Sequence, residues 1–175
     1  MADLNAYLAQ KRTALDVRRE RIGRGEVGPV PLRAQATVEG RSGVRRIRVR
    51  GHAVITDSLP DFAGYDLGPG SPELQLGVLG SCLAHSFLIQ AAAQGVPLEA
   101  IAVEVTATFD PRANEAGYED VPVHPQDLAY TIRIASPASE AEIAALHARV
   151  DRACPILNLL RGAQDIRGRI ERSAA

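Results

Sequence analysis

ELQLGVLGSCLAHSFLIQAAAQ, residues 73–94, is the stretch around which the rest of the chain must be arranged. From Leu74 onward it is apolar nearly all round, the pattern of a helix buried in a core and not laid on a surface. It is long enough to hint at a membrane span. Gln75, Ser81, His85, Ser86, Gln90 and two internal glycines favour a buried core helix instead. Gly77, Gly80 and Ala84 fall at i, i+3 and i+7, a small-residue stripe that lets another helix or a sheet approach closely. Gly95 and Pro97 close the helix, and Glu73 at its start complements the helix dipole.

Upstream, LPDFAGYDLGPGSP (residues 59–72) is a loop by composition and delivers the chain to that helix. Strand patterns precede it. Ala34–Val38 runs into the turn Glu39–Gly43, and Val44–Ile55 reads as a second and a third strand. Ile47 and Val49 face one way there, and Arg46, Arg48 and Arg50 the other, a solvated strand face. Residues 3–22 form a polar helix with a modest apolar stripe, ended by Gly23 and Gly25. The expected division is an N-terminal helical extension over 1–30 and one domain over 31–175.

Downstream, Ile101 to Phe109 alternates cleanly between apolar and mostly polar positions, and Leu128, Tyr130, Ile132 and Ile134 mark another half-buried strand. Ser139-Glu140-Ala141-Glu142 is a capping box opening a helix. The stripe of that helix is Ile143, Leu146, Val150 and then Cys154, so Cys154 faces the core. Pro155 starts a short helix to Arg161, and a last strand is expected around Ile166–Ile170. The order is α+β, with no repeat and no alternating βαβ rhythm.

At 175 residues the chain suits one domain with a sizeable core. A net charge of −1 gives no bulk support for nucleic-acid binding. Nineteen of the twenty basic residues are arginine, and Lys11 is the only lysine. The first twenty-two residues carry no continuous apolar run of the secretory kind, so a soluble, cytoplasmic protein is expected. Thiols stay reduced in that compartment.

Chemistry rests on Cys82 and Cys154. A free cysteine is commonly a small buried hydrophobe. A pair is different, because a sulfenic acid needs a second thiol to capture it as a disulfide. Cys154 precedes the helix at Pro155, where helix N-termini lower thiol pKa, but position alone leaves open which cysteine attacks first. A peroxide-reducing site also needs a cation for the thiolate and a carboxylate to fix that cation. Arg41 and Glu73 are of suitable type, while the residues alone read equally as a solvated turn arginine and a helix N-terminal acid. His52, His85, His124 and His147 lie far apart without ligand spacing, so no metal is expected, and His85 reads as a pocket or core histidine.

Three segments resemble the OsmC/Ohr family, the osmotically inducible and organic-hydroperoxide-resistance proteins. They are GYDLGPGSPELQLGVLGSCLAHSF (64–87), GVPLEAIAVEVTATFD (95–110) and RVDRACPILNLLRG (149–162). The resemblance spans roughly residues 34–172, and the N-terminal helix has no counterpart in the minimal family pattern. It implies an α+β fold, mainly antiparallel sheet with a long buried central helix, in an intertwined homodimer with active sites at the subunit interface. It implies a thiol peroxidase in which Cys82 is the peroxidatic cysteine, Cys154 the resolving one, and Glu73 orients the arginine, Arg41. Phe62, Leu79, Leu83, His85 and Phe87 would surround an organic hydroperoxide. No cofactor is implied, and an external dithiol, lipoyl-type or thioredoxin-like, would regenerate the thiols. The alternative is a non-catalytic dimer of this fold that binds an apolar small molecule or senses redox state.

Overall fold

The computed structural model describes residues 3–172. Helix α1 (Leu4–Gly23) opens on Asp3, whose carboxylate accepts the Asn5 N–H. Strands β1 (Gln35–Val38), β2 (Arg45–Val49) and β3 (His52–Thr56) follow, then a 3₁₀ turn at Pro60–Phe62. Helix α2 (Ser71–Gln94), strands β4 (Ala100–Thr108) and β5 (Gln126–Ala135), and helices α3 (Glu140–Ala153) and α4 (Pro155–Arg161) complete the order. The fold is α+β with two antiparallel sheets, β1-β2-β3 and β4-β5.

α2 is the central element. Gly70 precedes it in extended conformation, and the Glu73 carboxylate folds back to accept the Gly70 N–H at 2.6 Å. At the far end Gly95 adopts φ 75°, the left-handed conformation that lets its N–H reach the Ala91 carbonyl. α2 is long and apolar enough to cross a membrane by length and composition. It packs instead against α1, β4, α3 and α4. Its buried side carries Leu79, Leu83, Phe87 and Ala91, which join Leu8, Leu98, Leu146, Val150, Cys154 and Leu157 in one core. A Cβ on Gly80 would stand 3.4 Å from the Val105 side chain, so this glycine sets the helix-to-sheet approach. The opposite flank, with Gly77, Val78, Ser81 and His85, is open.

β4 and β5 pair Ile101 with Ile134, Val103 with Ile132 and Val105 with Tyr130, and these residues face the core. The expected alternation fails at Leu128, which is exposed. The register shifts between Thr106 and Thr108, and Asp127 takes φ 54°, so a bulge turns Leu128 away. The capping box of α3 forms as expected. Ser139 Oγ accepts the Glu142 N–H, and Glu142 accepts the Ser139 N–H at 2.8 Å. The strand expected at Ile166–Ile170 is absent. Residues 163–172 form no element, pair with neither sheet among the described residues, and leave Ile170 94% exposed.

The β1–β3 sheet packs little on the rest of the chain. Its tight β2–β3 turn places Arg50 at φ 55° before Gly51. Val38, Val49 and Val54 are all exposed, so this sheet has no covered apolar face.

Candidate active site

Cys82 sits on the border between the buried and open sides of α2. Cys154 closes α3 and opens α4, with φ −72° and ψ 112°, and its side chain is fully buried. These two placements bring the sulfurs to 3.4 Å, although 72 positions separate them in sequence. A disulfide bond is about 2.04 Å long, so roughly 1.3 Å of movement would join them. The turn between α3 and α4 is fixed by Asn158, whose amide donates to the carbonyls of Cys154 at 2.8 Å and Asp151 at 3.1 Å. Behind it the Tyr130 hydroxyl donates to Asp151 Oδ1 at 2.7 Å and lies 3.0 Å from His147 Nε2, tying β5 to α3. Burial and the Asp151 carboxylate push the Tyr130 hydroxyl up to about 12, so it remains a donor.

Burial raises the Cys82 thiol above its ordinary value, and the neighbouring Cys154 adds to the rise. The Ile156 backbone N–H and the Ser86 hydroxyl act the other way. The first turn of α4 thus favours the Cys82 thiolate. No arginine among the described residues offsets this, and burial dominates.

An open groove of about 520 Å³ gives access to Cys82, lined by Leu74, Gly77, Val78, Ser81, His85 and Ile156. Of the residues expected around a substrate, only His85 lines it. Leu79, Leu83 and Phe87 are in the core, because the turn positions that flank Cys82 on its inner side project toward β4 and α3. Phe62 is 85% exposed in the 3₁₀ turn and does not line the groove. Leu74 and Val78, at i−8 and i−4 from Cys82, supply the apolar wall instead. Helical spacing on the open flank was the signal for them, and none existed for Ile156.

Arg41 and Glu73 are not brought together. Glu73 Oε2 accepts the Gly70 N–H, while Arg41 is exposed in the β1–β2 turn with no hydrogen-bond or ion-pair partner among the described residues. It is Arg46 that finds a carboxylate near that turn, Glu39 at 2.7 Å. Among the described residues no cluster of histidine, cysteine and acidic groups could hold a metal ion.

The fold and the paired sulfurs define an α+β protein with a dithiol at the edge of an apolar groove. The family model for OsmC-like proteins matches residues 64–167, more than half of the chain, and the chain belongs to that family. Among solved structures it is similar to an OsmC-like protein from Mycoplasma pneumoniae (20% identity, 77% of this chain and 90% of that one, TM-score 0.66). A second is a putative osmotic stress induced and detoxification response protein from Psychrobacter arcticus (15%, 76% and 90%, 0.60). A third is an organic hydroperoxide resistance protein OsmC from Legionella pneumophila (18%, 78% and 93%, 0.54). At these identities the likeness is one of fold. No curated protein matches the sequence.

Proposed function

We propose that the protein is a thiol peroxidase reducing organic hydroperoxides, carried above all by the 3.4 Å approach of the two sulfurs beside an apolar groove. The Cys82 thiolate attacks the distal peroxide oxygen, the O–O bond breaks, and the alkoxide leaves and takes up a proton as the alcohol. Cys82 becomes a sulfenic acid, oxidised by two electrons. The Cys154 sulfur displaces the sulfenic hydroxyl, which departs as water with the Cys154 proton, and the disulfide forms. An external dithiol, lipoyl-type or thioredoxin-like, supplies two electrons and two protons to restore both thiols.

The missing cation points to a second copy. The β1–β3 sheet carries Arg41 away from the core and packs little on the rest of the chain, so it is available to pack on a partner and bring Arg41 to the partner's groove. A cytoplasmic homodimer with interfacial sites is the assembly this reading requires.

Mass spectrometry after one equivalent of cumene hydroperoxide tests the chemistry. The expected product is a disulfide joining Cys82 and Cys154 within one chain. Cys82→Ser should consume no peroxide, and Cys154→Ser should stop after one turnover with a dimedone-reactive sulfenic acid. Two unmodified thiols in the wild type would favour a non-catalytic binder, and reversed phenotypes would make Cys154 the attacking thiol.

A further inference from the structure

α1 lies outside the matched family segment, yet its Lys11 touches His85, which lines the Cys82 groove. Leu4, Leu8 and Leu15 pack it on the core, and Lys11 falls in the same stripe, seven after Leu4, three after Leu8 and four before Leu15. The only lysine of the chain thus occupies a docking position where an apolar residue would be ordinary. The helix is pinned on both sides of it. Leu98 N–H donates to Asn5 Oδ1 at 2.9 Å, and Arg12 Nε donates to the Ala92 carbonyl at 2.8 Å.

Held this way, Lys11 is half-buried and places its ammonium 3.3 Å from Nε2 of His85, the residue one turn beyond Cys82 in the groove lining. An ammonium has three donors and no acceptor. In this contact the ammonium donates and His85 Nε2 accepts. The Tyr7 ring, 5.4 Å away, is the other neighbour, and it is uncharged. No ion pair among the described residues involves Lys11. A cation held without a counter-ion at the end of an apolar groove is a ready partner for an anion at the end of an apolar ligand.

We propose that Lys11 is a specificity-determining residue of this groove, its ammonium beside His85 taking the carboxylate of hydroperoxides that carry one, while Leu74, Val78 and Ile156 take the hydrocarbon. Cys82 and His85 are three positions apart on α2. Three positions are less than one helical turn of ~5.4 Å, so peroxide and carboxylate are held close together, which selects acids with the two groups a few bonds apart. The hydroperoxide half of this assignment rests on the peroxidase reading, and the carboxylate half does not.

Protection of Cys82 from iodoacetamide reads occupancy without turnover, and peptide mass spectrometry assigns the label to Cys82. In the wild type, octanoate should protect at concentrations about tenfold lower than its methyl ester, a ratio set by one charge-assisted contact. Lys11→Met should bring that ratio to about one, and Lys11→Arg should retain most of it. Raising salt from about 0.05 to about 0.5 M should erase it in the wild type, which tests the charge without any substitution. Equal protection by acid and ester in the wild type, or an acid preference that survives in Lys11→Met or at high salt, would overturn the proposal. Carboxylate-dependent protection in a protein that reduces no peroxide would instead overturn the peroxidase reading and leave Lys11 as the anion site.

Discussion

At the scale of single residues, the reactivity of Cys82 is a balance between burial and hydrogen bonding. Burial leads and raises the thiol, and Cys154 adds to it, against the Ile156 N–H and the Ser86 hydroxyl. A raised thiol pKa favours the protonated form, which is a poor nucleophile. An arginine arriving from a second copy would lower it, since an opposite charge at close range commonly moves a pKa by ~1–3 units. Alkylation of Cys82 in Arg41→Met should therefore follow a pH curve displaced upward from that of an ordinary cysteine thiol. The wild-type curve should lie at lower pH. Superimposed curves would assign the cation to Arg33, Arg46, Arg48 or Arg50. Both cysteines were legible in the sequence, and so was the core-facing direction of Cys154. The groove walls were legible only in part, because a helix that is apolar nearly all round does not announce which apolar residues face inward.

At the scale of elements, the α3–α4 junction sets the distance between the sulfurs. Cys154 ends one helix and begins the next, Pro155 occupies the first position of α4 where no N–H is needed, and the Asn158 amide bonds back to Cys154 and Asp151. Asn158→Ala removes those bonds. It should cost about 1 kcal/mol of stability. Stopped-flow trapping with dimedone should show a longer-lived Cys82 sulfenic acid, because the resolving sulfur is less well held. An unchanged lifetime would mean that packing of Leu157 and Val150 alone fixes the turn. The capping box at Ser139 and the Pro155 start are local signals, and local reasoning found them. The strand expected at Ile166–Ile170 had an apolar residue at each end and no pairing strand among the described residues, which a strand requires and periodicity cannot supply. The bulge at Asp127 was equally invisible, since it depends on the register with β4.

At the scale of the whole molecule, surface area carries the argument. A folded monomer of 18.7 kDa should expose about 8,300 Å². This chain exposes 13149 Å². The excess is of the size a tightly associated dimer removes, well above the ~2,000 Å² at which obligate interfaces begin. It is apolar in kind, with Val38, Val54, Leu59, Tyr65, Leu67 and Val78 all open. Sedimentation at micromolar concentration should give twice the chain mass, and a stable monomer would defeat both the dimer and the shared site. The α+β order and antiparallel pairing were readable from the alternation in β4 and β5. The standing-off of the first sheet was not, because its strands alternate like any half-buried sheet and the sequence does not say whose core they cover.

That uncovered sheet has a kinetic consequence. Three strands with neither face packed cannot hold their shape on local pairing alone, since an isolated small sheet is marginal in water. In the proposed dimer, acquiring a partner would be the step that completes folding, and the midpoint of thermal unfolding should climb as protein concentration is raised. Refolding should slow on dilution in the manner of a second-order process. For such a chain, scarcity itself is a denaturant.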